Sequence, residues 1–421
     1  MLSFGAVARN TLWMTLGQGI RTLVQAVYFV LIARILHRDG YGAFSGVVAL
    51  VAVLLPFSGW GGGNLLIKHV ARDKRLFSVY WGRTLFMSCA SAGALVLLAT
   101  ALGWWILPAS VPSAILFWVA ISDLLFARLL EASGQAFQAF HQLFKTAFLW
   151  VALSVARLGA VLLLIHVHAA DDLLTWSLLY MCSTAAVTIP ACLWVSFELG
   201  LPRWDMSGWR AEFGEGFYFA SSVSAQRIYL ESDKTLLTRL STLESAGTYA
   251  AAARIVDVAF VPVNALLAAT YVRFFVQGRE GVQGTLRLSK QLLPIALGYA
   301  LTAGAVLFVL APLVPRLLGT EFMETVPAIR WLAIMPTLMT LHRFAADSLT
   351  GAGWQGTRTS FEFLVAVFNI VLNLCLVPYY SWRGAALAAC VTGVTLVFAL
   401  ALALRSIAGR AAPTANSTAA D

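Results

Sequence analysis

Apolar residues run along this chain in windows of about twenty, each closed by charge or by Gly and Pro, the length an α-helix needs to cross a hydrocarbon layer of about 30 Å. The windows fall at 12–36, 43–67, 80–106, 113–138, 143–165, 173–197, 213–240, 246–275, 289–312, 326–350, 358–378 and 384–404. Those at 113–138, 213–240 and 246–275 carry several charges and have the weakest hydropathy. The pattern predicts an all-α polytopic membrane protein of about twelve transmembrane helices, joined by short loops and without a separate soluble domain.

The first window, Thr11 to Leu36, is not apolar all round. Met14, Gln18, Arg21, Gln25 and Tyr28 recur at spacings of three and four, so they share one helix face. Arg21 lies about ten residues into the span, roughly 15 Å along the axis. A charge at that depth costs about 2.5–3.5 kcal/mol on insertion scales, so the stripe is expected to face protein or a watery cavity rather than lipid.

Composition agrees. Of 421 residues, 60% are hydrophobic and 12% charged, and the mean hydropathy is +0.79, against roughly 25% charged residues in a soluble domain. The net charge of +9 would suit nucleic acid if it formed a patch, but Lys and Arg are spread over alternate loops, so no nucleic-acid partner is expected. With the amino terminus inside, only Arg34, Arg38, Arg239, Arg316, Arg330 and Arg383 fall on the outer side among basic residues beyond the spans. The positive-inside rule therefore predicts a multi-pass protein with both termini in the cytoplasm. Cys89, Cys182, Cys192, Cys375 and Cys390 lie in apolar spans without metal-ligand spacing. The first span lacks a cleavage-site pattern and is expected to be retained. The small, polar tail 409–421 is expected to be disordered.

A shift of 205 residues aligns Arg34-Ile35 with Arg239-Leu240, Asp39 with Glu244, Gly42 with Gly247 and Phe44 with Tyr249. Each copy lies between the first two spans of a six-span half, which predicts a parallel repeat with an amino-terminal lobe over 1–200 and a carboxy-terminal lobe over 201–408. The glycines are expected to serve tight turns that need positive φ.

Seven basic residues lie within spans: Arg21, Arg128, Arg157, Arg227, Lys234, Arg254 and Arg343. Five have an acid one turn away, as Arg128 with Glu131, Arg227 and Lys234 with Glu231, Arg254 with Asp257, and Arg343 with Asp347. Arg21 and Arg157 do not, and need an anion from another helix or from a ligand. Guanidinium groups grip phosphate oxygens in bidentate fashion, so a cavity with Arg21, Arg227, Arg254, Arg157 and Arg343 would suit an anionic ligand. Gln18, Gln25, Tyr28, Tyr218, Gln226 and Tyr229 are candidates for sugar contacts. Asp257, Asp347 and Asp123 are candidates for ion coupling. The Gly351-to-Gly356 stretch matches G-x-G-x-x-G without a preceding strand and is set aside. No cofactor, metal site or catalytic residue is expected.

Ile32-Ala-Arg-Ile-Leu-His-Arg-Asp-Gly-Tyr-Gly-Ala-Phe44 and Leu237-Thr-Arg-Leu-Ser-Thr-Leu-Glu-Ser-Ala-Gly-Thr-Tyr249, with Leu317-Leu-Gly-Thr-Glu-Phe322, Leu349-Thr-Gly-Ala-Gly353, Asn369-Ile-Val-Leu-Asn-Leu-Cys-Leu-Val-Pro378 and Trp382-Arg-Gly-Ala-Ala-Leu-Ala388, resemble bacterial polysaccharide flippases of the Wzx type. These belong to the multidrug/oligosaccharidyl-lipid/polysaccharide exporter superfamily. The resemblance implies two six-helix lobes around a central cationic cavity, a substrate made of an oligosaccharide joined by diphosphate to undecaprenol, and transport across a bacterial inner membrane. Implied partners are that lipid-linked glycan, the bilayer and other polysaccharide-assembly membrane proteins, with the chain acting as a monomer and not as an enzyme. Three rivals share features with it: a drug or organic-cation exporter of the same superfamily, a membrane glycan polymerase or ligase, and a twelve-span solute carrier. The unmatched cations, the short outer loops and the missing Gly-rich loop signature argue against them in turn.

Overall fold

The computed structural model describes residues 4–167, 171–205, 224 and 227–410, and of these the side chains between residues 16 and 409. The side chain of Met14, and Tyr218, Gln226 and the tail from residue 411 altogether, lie outside the described residues. The described residues are mostly helical, with no strand among them. In order come α1 (Phe4–Leu54), α2 (Gly62–Val70), α3 (Phe77–Ile106), α4 (Ser113–Ala120), α5 (Arg128–Ala139), α6 (Leu143–Val167) and α7 (Asp172–Leu199). Then follow α8 (227–240), α9 (Leu243–Gln277), α10 (Gly281–Leu310), α11 (Val314–Leu318), α12 (Thr325–Leu332), α13 (Met335–Gly351), α14 (Gln355–Tyr380) and α15 (Trp382–Arg410).

Eight helical stretches among the described residues are long and apolar enough to cross a membrane. Two of them, Leu16–Val70 and Leu243–Leu318, each cover two of the expected windows. The window at 326–350 is divided into α12 and α13, and that at 213–240 lies partly outside the described residues. The chain is an all-α, multi-pass membrane protein.

The chain divides into two compact units, Met1–Gly247 and Thr248–Asp421. In the first, α1 packs along α6, α6 along α7, and α2 against α3 and α5, around a core that includes Leu66, Phe77, Trp81, Phe137 and Val195. In the second, α10 packs on α13 and α15 on both α13 and α14, around Phe260, Phe274, Leu288 and Phe344.

The 205-residue echo has a structural outcome that differs from the expected one. The chain doubles back at His37, where φ is 57°, not at the glycines. The rings of Phe29 and Tyr41 would be about 18 Å apart along a straight helix, but their centroids are 5.7 Å apart. Gly42 and Gly247 instead lie against each other: a methyl group on Gly42 would strike the Leu243 carbonyl oxygen, and one on Gly247 the Arg38 carbonyl oxygen. Their use is close helix approach, not a left-handed turn. Gly46, one turn beyond Gly42, meets the Thr238 methyl of α8, and its carbonyl accepts from the Thr235 hydroxyl at 3.1 Å. An Arg38–Glu244 ion pair closes the same contact.

Later family segments also hold helices together. Asn369 donates to the Thr392 hydroxyl at 3.3 Å, joining α14 to α15, and the Trp382 indole donates to Glu324 at 2.9 Å. The G-x-G-x-x-G stretch is a packing element as well, since Gly351 lies against the Phe274 carbonyl and Gly278 against that of Gly351.

Candidate functional site

The polar stripe of α1 faces α6 and α7. Gly17 lets the helices close, because a Cβ there would lie 2.8 Å from the Ala147 methyl. One turn on, the half-buried Arg21 sets its guanidinium 5.6 Å from the centre of the Trp150 ring, a cation–π contact between α1 and α6. Gln18 is exposed and Gln25 half-buried. Tyr28 packs its ring 5.7 Å from that of Trp176 on α7.

Beside it lies a network that only tertiary packing assembles. Arg157 on α6 pairs with Asp123 at 3.2 Å, and the Tyr180 hydroxyl of α7 donates to the same carboxylate at 3.1 Å. The Arg157 guanidinium also sits 4.0 Å from the Tyr180 ring centre and donates to Thr184 at 3.4 Å. The Ser122 hydroxyl donates to Thr184 at 3.0 Å. Ser122 and Asp123 belong to a π-helical segment, Ile121–Ala127, between α4 and α5. Such wide turns add a residue to the helical repeat and re-aim the side chains they carry. Arg157 thus finds its anion on another helix, and Asp123 is engaged by a cation.

In the second unit Arg343 is a charge neighbour of Asp347 as its spacing predicts, but the direct salt bridge comes from another cation. Asp347 accepts from Arg358 at 3.2 Å, and Arg358 also holds Glu362 at 2.9 Å and the Thr350 hydroxyl at 3.0 Å. Arg358 lies in the first turn of α14 and is buried. The Arg343 Nε is buried without a hydrogen-bond partner. In α8 the choice between two cations is resolved likewise: Glu231 binds Lys234 at 2.7 Å, and Arg227 is exposed. Among the described residues Arg227 makes no hydrogen bond or ion pair. Arg254 is half-buried and Asp257 exposed on α9, Tyr229 is buried, and Arg128 pairs with Glu131 at 2.8 Å as its spacing predicts.

The second expected span is broken at membrane depth, which the hydropathy reading missed. Between α1 and α2, Ser58 is extended at ψ 127° and Gly59, Trp60 and Gly61 all have positive φ. The break is held by side chains: Ser58 donates to the Leu124 carbonyl, and the Ser91 hydroxyl accepts from the Gly59 amide at 2.8 Å. Irregular backbone inside a membrane is tolerated only where protein or a cavity covers it. Pro56 with Gly59, Gly61, Gly62 and Gly63 inside one apolar window was the signal that could have revealed it.

Comparison with known proteins places this geometry. Residues 7–276 match the model of a family described as polysaccharide biosynthesis protein. No curated protein matches the chain in sequence. Among solved structures, an inward-facing multidrug resistance MATE family transporter of the MOP superfamily aligns with 14% identity and a TM-score of 0.73, over 93% of this chain and 96% of its own. The lipid II flippase MurJ, in an inward closed conformation, aligns with 12% identity and a TM-score of 0.71, over 91% of this chain and 87% of its own. A MOP superfamily transporter from Pyrococcus furiosus, described as having a binding pocket of reverse polarity, aligns with 14% identity and a TM-score of 0.65, over 96% of both chains. At these identities the likeness shows the shared fold. The chain belongs to the polysaccharide biosynthesis protein family.

Proposed function

We propose that the chain is a flippase that carries an undecaprenyl-diphosphate-linked oligosaccharide, a repeat unit of O-antigen, capsule or exopolysaccharide, from the inner to the outer leaflet of a bacterial inner membrane. The family match over residues 7–276 is the observation that carries this reading. The mechanism proposed is alternating access by two six-span lobes, 1–200 and 201–408, with both termini in the cytoplasm. The cations proposed for the diphosphate are Arg21, Arg227 and Arg254, with Gln18, Gln25 and Tyr28 beside the glycan, whereas Arg157 is engaged by Asp123. Arg343 completes the proposed set.

Moving the diphosphate outward is favoured by an inside-negative potential by ~2.3 kcal/mol per charge per 100 mV. If an ion is coupled as well, the candidate acids are Asp257, Asp347 and Asp123, of which Asp123 pairs with Arg157 and Asp347 with Arg358. The test is a strain whose surface polysaccharide depends on this protein. Arg21→Ala, expressed at normal level, should lower polymer export at least tenfold and Arg21→Lys should restore part of it. Full export by Arg21→Ala would remove Arg21 from the site, and failure of the purified wild type to move the lipid-linked glycan across proteoliposomes would overturn the flippase reading.

A further inference from the structure

The first unit holds an open cavity of about 1010 Å³ where three helix ends converge, the last turns of α3, the start of α4 and the last turn of α8. Local sequence shapes it. Leu107 is extended after the last turn of α3, and Pro108 and Pro112 bracket the connection, with Pro112 as the N-cap of α4. The helices are thereby spread at their ends. Because three spans end here, the cavity lies at the level where chains leave the hydrocarbon, which is also where tryptophan concentrates in membrane proteins. Trp104 lines it with 90% of its surface exposed.

The lining is asymmetric in its chemistry. Leu97, Trp104, Leu116, Phe117 and Trp118 give it an apolar and aromatic wall, and among the described residues Arg239 is the one charged residue that lines it. No carboxylate among the described residues lines it. Among the described residues Arg239 has no ion pair or hydrogen bond, although Arg38 nearby in the fold is matched by Glu244. A cation facing an apolar cleft at headgroup depth is complementary to an amphiphile with an anionic head, and a guanidinium meets phosphate oxygens in a two-point contact. The size suits such a ligand, since cavities of roughly 300–1,000 Å³ enclose molecules of several tens of atoms.

We propose that this cavity is a lipid site that seats the head of a phosphate-bearing lipid against Arg239, with the first part of its chain along Leu97, Trp104 and Leu116. Its assignment to the outer leaflet rests on the orientation given under the proposed function; the site itself does not.

The experiment is native mass spectrometry of the full-length protein in a phosphate-free sugar detergent, titrated separately with undecaprenyl diphosphate, phosphatidylglycerol and diacylglycerol. Wild type should show one saturable phosphate-dependent lipid that Arg239→Gln weakens about tenfold, as expected for loss of one charge-assisted contact. Arg239→Lys should retain part of the affinity, and Trp104→Ala should weaken binding several-fold through the apolar wall. Preference for undecaprenyl diphosphate would identify the site with the transported lipid class. Equal or greater affinity for phosphatidylglycerol would make it a bulk-phospholipid site of the same chemistry. Binding by Arg239→Gln equal to wild type, or diacylglycerol binding as tightly as the phosphate lipids, would overturn the proposal and leave Arg239 as a residue that merely reaches the headgroup layer. Lipid binding intact in a protein that fails to flip would count against the proposed function and not against this site.

Discussion

Arg157 in the first unit and Arg358 in the second both hold a carboxylate within the membrane-spanning helices, by different arrangements. Arg157 faces a single acid, Asp123, and shares it with the Tyr180 hydroxyl. Arg358 holds two acids, Asp347 and Glu362. The enclosures differ as well: the side chains of Arg157 and Asp123 keep 20% and 16% of their surface exposed, those of Arg358 and Asp347 only 11% and 4%. A buried pair is costly to break because removal of one partner strands the other in a low dielectric. The second cluster should therefore act as a structural clamp, whereas the first, more open and shared with a phenol, is the better placed to rearrange. Both arginines are engaged by protein carboxylates.

The contrast can be broken at its strongest point first. Arg358→Ala would leave Asp347 and Glu362 together without a cation, and should lower stability by about 3–5 kcal/mol, read as a fall in melting temperature in detergent. Adding Asp347→Asn and Glu362→Gln should recover much of that loss. Asp123→Ala should cost less, about 2 kcal/mol, because Arg157 keeps its contacts with the Tyr180 ring and Thr184. A loss from Asp123→Ala equal to that from Arg358→Ala would erase the distinction between the clusters. Tyr180→Phe, which removes one donor to Asp123, should cost about 1 kcal/mol. Arg227→Gln should change stability by less than about 0.5 kcal/mol, since it removes no contact seen among the described residues.

The helices were legible because a membrane span must be both long and apolar, so about twenty residues of hydropathy suffice to mark one. Local ion pairs were legible only in part. Arg128–Glu131 and Lys234–Glu231 follow from helical spacing, but spacing alone offered Asp347 to Arg343, and the side chain that takes it arrives from the following helix. Asp123 and Arg157 are far apart in sequence and meet only through packing of the π segment on α6 and α7. The role of Gly42 was misread for a related reason. A glycine is silent in sequence as to whether it supplies a positive φ or a bare surface, and here the adjacent His37 takes the positive φ while Gly42 takes the helix contact.

In the proposed mechanism the chain moves a lipid-linked diphosphate, and Arg227, which makes no ion pair among the described residues, is foremost among the cations that receive it. The most direct test is flipping of undecaprenyl-diphosphate-linked oligosaccharide in proteoliposomes by wild type, Arg227→Gln and Arg227→Lys, with melting temperature measured on the same preparations. The account predicts transport by wild type that quickens with an inside-negative potential, a drop of at least tenfold for Arg227→Gln at unchanged melting temperature, and partial recovery with Arg227→Lys. Transport by Arg227→Gln at the wild-type rate, or no transport of the lipid-linked glycan by wild type, would contradict it.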